Sequence, residues 1–146
     1  MSAVTYNLEI NAPIEIIWQV ILDELDRPQQ YSGTIKDSNV LERFPGGLLR
    51  EISVPDASVR EKITYDREAL KIKSSLVGHP DINGTISKQL TPDQHVQNRW
   101  HIQSELKWQT TKGEVEDMLR RNVKDFVMER LERVRSQSEK RAREEA

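Results

Sequence analysis

Apolar and polar positions alternate from Val40 to Leu76 and stay in phase through three hairpin-like units. Residues opposite each other in an antiparallel pair share a face, so each turn fixes a register. With Pro45-Gly46-Gly47 as the first turn, Phe44 is expected opposite Leu48, Glu42 opposite Arg50 and Val40 opposite Ile52. With Pro55-Asp56 at the second turn, Val54 falls opposite Ala57, Ile52 opposite Val59, Arg50 opposite Glu61 and Leu48 opposite Ile63. With Asp66-Arg67-Glu68-Ala69 as the third, Tyr65 falls opposite Leu70, Ile63 opposite Ile72 and Glu61 opposite Ser74. Three turns chosen from turn chemistry thus give one face on which apolar meets apolar and polar meets polar. The other face carries Arg60, Lys62, Thr64, Lys71 and Lys73, as a solvated side should.

The flanking segments follow the same logic. Val4, Tyr6, Leu8 and Ile10 alternate with polar residues and predict a first strand. Asn11-Ala12-Pro13 breaks it, and Ile14, Ile17, Trp18, Ile21, Leu22 and Leu25 have the spacing of an amphipathic helix. Pro28 limits that helix, and Pro28 to Tyr31 suits a short second helical turn. After the hairpins, Ile82, Gly84, Ile86 and Leu90 predict a strand, with Lys88 breaking the apolar series. Val96, Trp100, Ile102, Leu106 and Trp108 predict a long strand that also carries Asn98 and Ser104 on its apolar face. Thr111-Lys112-Gly113-Glu114 has the spacing of a capping box. Val115, Met118, Leu119, Val123, Phe126, Val127, Leu131 and Val134 then form a slowly drifting helical stripe, with Asn122 in its middle and Arg130 within its arc.

The order is strand, helix pair, about six antiparallel strands, long helix. Only the helices can cover the apolar face of the sheet. An α+β arrangement follows, in which a strongly curved sheet grips the carboxy-terminal helix. Residues 1–134 are read as one domain, and residues 135–146 as a charged helical extension or a disordered tail.

Composition narrows the function classes. The chain has 146 residues, 36% hydrophobic and 32% charged, with a net charge of −2. That charge is too near neutral to favour a polyanion or an anionic membrane. The final helix is rich in Arg and Lys, but Glu and Asp interleave with them, so a nucleic-acid partner is not expected. Absence of Cys excludes thiolate chemistry and fits a reducing, cytoplasmic compartment. No apolar run approaches the roughly 20 residues that span a bilayer. His79, His95 and His101 lack metal-ligand spacing, no Gly-rich phosphate loop or nucleophile elbow is present, and neither a metal nor a cofactor is expected.

The informative feature is the polar row on the apolar face: Glu42, Arg50, Glu61 and Ser74. An Arg with two carboxylates on such a face is costly unless the charges pair well or border a cavity. Two readings fit. Arg50 can be held by the carboxylates and offer its remaining donors to a ligand oxygen, or the row can be a cross-strand ion network that sets register. Asn98, Trp100, Asn122 and Phe126 are further candidates for the same pocket.

The first strand, the Asn11-Ala12-Pro13 break leading into Ile16-Ile17-Trp18, Pro28 through Tyr31, and Val40-Leu41-Glu42-Arg43 together resemble the opening of the START/Bet v1-like superfamily, the polyketide cyclase and lipid-transfer proteins. The runs Leu49-Arg50-Glu51, Val59-Arg60-Glu61 and Ile63-Thr64-Tyr65 are similar to its AtaL-like subgroup. The resemblance implies a helix-grip fold with a cavity for an apolar or amphipathic small molecule and carries over no catalytic set. Three functions remain open: a binding protein for such a molecule, a cyclase or dehydratase using Glu61 or Glu42 as acid or base, and a protein-interaction module.

Overall fold

A computed structural model describes residues 2–55 and 57–146. Seven strands form one antiparallel sheet: β1 (Ser2–Ile10), β2 (Asp37–Phe44), β3 (Gly47–Val54), β4 (Ala57–Asp66), β5 (Lys71–Val77), β6 (Ile82–Pro92) and β7 (Trp100–Thr110). The strand order is β1-β7-β6-β5-β4-β3-β2. Helix α1 (Ile14–Asp26) and a 3-10 turn (Pro28–Gln30) follow β1, and α2 (Gly113–Glu145) closes the chain. Helix α2 packs against α1, β1 and β7. The core between sheet and helices includes Ile17, Ile21, Leu48, Ile63, Ile102 and Leu131. This is the helix-grip fold in α+β form.

The three hairpins differ in how well turn chemistry alone places them. The β3–β4 register matches expectation, with Arg50 opposite Glu61 and Leu48 opposite Ile63. Asp56, expected in its turn, lies outside the described residues. The β4–β5 loop has the expected four residues but lies one position later, at 67–70. Asp66 Oδ1 accepts the Glu68 and Ala69 amides at 3.0 Å each, and Leu70 takes a positive φ of 56°. Pairing therefore shifts by two residues, with Ile63 opposite Ser74 and Glu61 opposite Leu76. A two-residue slip keeps every side chain on its face, so the polar row survives.

The first hairpin does not keep its expected register. The turn is Pro45-Gly46, with Gly46 at φ +78°, the glycine position of a type II turn. Gly47 belongs to the ladder opposite Phe44. A Cβ on Gly47 would lie 2.2 Å from the Ile63 carbonyl oxygen and 2.5 Å from the Phe44 ring, so glycine there permits close approach rather than a turn. The register then shifts between Val40 and Glu42, a bulge that leaves Val40 opposite Arg50 and Glu42 opposite Leu49.

Two further boundaries differ. Strand β7 starts at Trp100, because Asp93 Oδ1 accepts the His95 and Val96 amides at 2.8 Å each and builds a turn. Asn98 sits in that turn with φ 57°, a conformation Asn tolerates. The Thr111 capping box does not form: Lys112 is the N-cap, and Thr111 Oγ1 instead bonds Asp81 at 3.2 Å. Residues 135–145 are a helical extension of α2, in which Ser138 is buried and Ala142 packs on the core.

Candidate functional site

Between the sheet and the first half of α2 lies a cavity of about 280 Å³. Its walls come from inward positions of β3 to β7, among them Ile52, Val59, Leu76, Ile86, Leu106 and Trp108. Leu119, Val123 and Phe126 of α2 close it from above. Their spacing of four and three residues puts all three on one helix face. Glu61 and Ser74 of the inward row and Arg130 of α2 are polar side chains of the lining.

Behind these three lies a charged cluster. Arg130 on α2 pairs with Glu24 on α1, with Arg130 Nε 2.8 Å from Glu24 Oε1. Arg50 on β3 pairs with Glu61 on β4 at 3.2 Å. Glu24, Arg50, Glu61 and Arg130 are each at most 6% exposed. Ser74 donates its hydroxyl to Glu61 Oε2. Arg50 also donates to the carbonyl oxygens of Leu25 at 2.9 Å and Glu24 at 3.4 Å. It therefore satisfies the open end of α1 and joins that helix to the sheet.

Electrostatics explain how such charges survive burial. Burial alone pushes the Glu24 carboxyl up, but Arg130, Lys88 and Arg50 outweigh it and bring it down to about 2. Glu61 follows the same pattern: burial raises it, while Arg50, Arg130 and the Ser74 hydrogen bond hold it below the usual carboxylate range. Burial works against the Arg130 cation, yet Glu24 and Glu61 leave it held more firmly than usual. Both carboxylates are thus ionised at neutral pH, acting as acceptors and counter-ions.

Lys88 is the exception. It faces inward on β6, opposite Ser104 and Ile72. Burial dominates its titration and, despite Glu24 nearby, takes it down to about 8. It is the cluster member whose charge changes near neutrality.

The expected site residues separate into two groups. Glu61, Ser74 and Phe126 line the cavity, and Arg50 stands behind Glu61 with its terminal nitrogens bonded to protein groups. Glu42 is exposed on the outer face, because the bulge in β2 turns it away. Asn98 is exposed in the β6–β7 turn. Asn122 is exposed on α2 and donates to the Met118 carbonyl at 2.9 Å, since the drifting stripe leaves it on the solvent edge. Trp100 packs on the core at the far end of β7, opposite Ile10, and does not line the cavity.

Two cluster members escaped the sequence reading. Glu24 lies three residues after Ile21 and seven after Ile17, within the apolar arc of α1. Lys88 is in phase with Ile86 and Leu90, so the break it makes in the apolar series marks an inward charge.

Comparison with known proteins places this geometry. No protein-family model matches the chain, and no curated protein matches it. The crystal structure of the Zhui aromatase/cyclase from Streptomyces sp. R1128 superposes with a TM-score of 0.85 at 16% identity, covering 96% of this chain and 94% of that one. Protein XoxI from Bacillus cereus gives 0.74 at 17% identity, covering 94% and 96%. The di-domain ARO/CYC StfQ of the steffimycin biosynthetic pathway gives 0.78 at 14% identity, covering 96% of this chain and 51% of that one. The chain shares the fold of these three structures.

Proposed function

We propose that the protein binds an apolar or amphipathic small molecule, of lipid, polyketide or aromatic type, in the cavity between the sheet and α2. The observation that carries this reading is the cavity itself. Its walls are aliphatic and aromatic, and its charged groups gather where Arg130 and Glu61 enter. Its volume of about 280 Å³ lies at the small end of the roughly 300–1,000 Å³ typical of ligand pockets. Affinity would come from apolar burial at about 25 cal/mol per Å². Two of the structural neighbours are named as aromatase/cyclases, which supports a ligand with fused or nascent aromatic rings. Within the superfamily we place the chain nearest the AtaL-like subgroup, on the Leu49-Arg50-Glu51 and Val59-Arg60-Glu61 runs that build the Arg50–Glu61 pair.

Binding is favoured over cyclase or dehydratase chemistry by the state of the carboxylates. A general acid or base works best when it titrates near the operating pH. Glu61 is held well below that range by Arg50 and Arg130, against the push of burial. Glu42 lies outside the cavity. Nor does a partner-docking groove gain support: the exposed large apolar side chains Leu41, Val77, Val96 and Met118 are scattered over β2, β5, the β6–β7 turn and α2.

The test is calorimetric melting with neutral 2-naphthamide as probe. Ligand at 100 times its dissociation constant stabilises the native state by about 2.7 kcal/mol. A melting temperature that rises with the logarithm of probe concentration supports the reading. No rise with 2-naphthamide, 2-naphthol or decanoate overturns it.

A further inference from the structure

We infer that the ligand carries an acidic head, a carboxylate or an acidic phenol, received at the inner end of the cavity by Lys88 together with Arg130. This deepens the binding reading above and rests on it.

The charge balance of the interior is the starting point. Three cations, Arg50, Arg130 and Lys88, face two carboxylates, Glu24 and Glu61. The carboxylates are taken: Glu24 by Arg130 and Glu61 by Arg50. Among the described residues Lys88 has no carboxylate within ion-pair distance, so the cluster holds one positive charge more than it neutralises. Lys88 is half-buried, and an anion brought in by a ligand stabilises a charge partly withdrawn from water.

Position connects Lys88 to the cavity. Ile82, Gly84 and Ile86 are successive inward residues of β6 and all line it. Lys88 is the next inward residue on the same strand, two positions on, about 6.6 Å along the chain. Arg130 reaches the same end from α2 and is itself part of the lining. Lys88 is surrounded by enough protein for burial to dominate its titration, yet part of its surface stays open. Lys88 is not itself among the lining residues and stands just beyond Ile86, where the end of a ligand can reach it. Its ladder neighbour Ser104 is fully buried and its hydroxyl has no partner, so Lys88 gains no counter-charge from that side.

Binding an anion there takes up a proton. The groups facing Lys88 are Glu24 from α1, Arg50 from β3, Glu61 from β4 and Arg130 from α2. Tyr6 on β1 and Tyr65 on β4 lie in the same cross-strand row, beyond Ser104 and Ile72 respectively. An added carboxylate favours the charged amine. The amine is only partly protonated near pH 8, so part of a proton enters with the ligand.

Isothermal titration at pH 8 compares 2-naphthoate with its neutral isostere 2-naphthamide, in two buffers of different ionisation enthalpy. Wild type is expected to bind the acid at least about tenfold more tightly, the size of one charge-assisted hydrogen bond. The acid should take up as much as about half a proton per site, and the amide none. In Lys88→Met the acid-over-amide ratio should fall to about one, and the uptake should vanish. If wild type binds both probes equally, or takes up no proton with the acid, the inference falls while the binding reading stands. If wild type binds neither, both fall. Should Lys88→Met fold poorly, the wild-type affinity ratio and proton count decide alone.

Discussion

Replacing Glu24 by Leu tests whether the Arg130–Glu24 pair is as dry as its geometry indicates. The side chains are 7% and 1% exposed respectively, and Arg130 directs both Nε and a terminal nitrogen at the same Glu24 oxygen. Leu is close to Glu in volume, so the substitution removes charge without opening a large void. It leaves a buried guanidinium facing only the more distant Glu61. Breaking one partner of a buried ion pair costs about 3–5 kcal/mol. For a chain of 146 residues, each kcal/mol moves the midpoint by roughly 2–4 °C, giving a fall of about 6–20 °C. The double variant Glu24→Leu/Arg130→Met removes both charges, and such exchanges are neutral or stabilising by about 1–4 kcal/mol. It should therefore recover most or all of the loss. The assay is urea unfolding at pH 7, followed by circular dichroism, on wild type, both single variants and the double. The acid limb gives a second reading. A carboxyl that titrates lower in the folded chain adds stability that is complete above its ordinary value of 4.5 and is lost as pH falls toward about 2. Wild type should lose that stability between those values, and Glu24→Leu should lack that part of the slope. A single-variant loss under 1 kcal/mol, or a double variant as weak as the singles, refutes the reasoning.

Arg50→Met strips the carbonyl partners from the last turn of α1 and leaves Glu61 unpaired. It should cost about 3–5 kcal/mol in urea unfolding and, by freeing Glu61 to offset the surplus positive charge, lower the preference of the cavity for acid over amide. Gly47→Ala should destabilise by more than about 2 kcal/mol, because its Cβ meets the Ile63 backbone oxygen at 2.2 Å. Gly46→Ala has 3.7 Å of clearance and should lose only about 1 kcal/mol to its positive φ, so comparing the two melts separates close approach from turn strain. Val123→Phe places a ring in the cavity from α2. It should weaken 2-naphthamide binding at least about tenfold, read by titration calorimetry, with a midpoint changed by only a few degrees.

Much of the fold was legible because its strands alternate cleanly. The β3–β4 register followed from a short turn flanked by matched residues, and a slip of two between β4 and β5 changed partners without changing faces. What failed was local. Gly47 looks like a turn residue, yet it sits in the ladder because Phe44 and Ile63 leave no room for a side chain. That error of one residue, with the bulge beyond it, moved Glu42 from the interior to the surface. Asn98 was misplaced because Asp93 organises a turn where alternation continues in the sequence. The pairing of Glu24 with Arg130 was hidden for a different reason. Glu24 and Arg130 lie 106 residues apart on two helices, and no single-segment pattern predicts that they meet.

The central claim is that a ligand enters between the sheet and α2 with its polar end toward Arg130 and Lys88. A titration of 15N-labelled protein with 2-naphthoate, followed by amide chemical shifts, tests it most directly. The largest shifts should cluster on Leu76, Gly84, Ile86, Lys88, Val123 and Arg130. Shifts confined to the outer face of the sheet, or none at saturating probe, would contradict it.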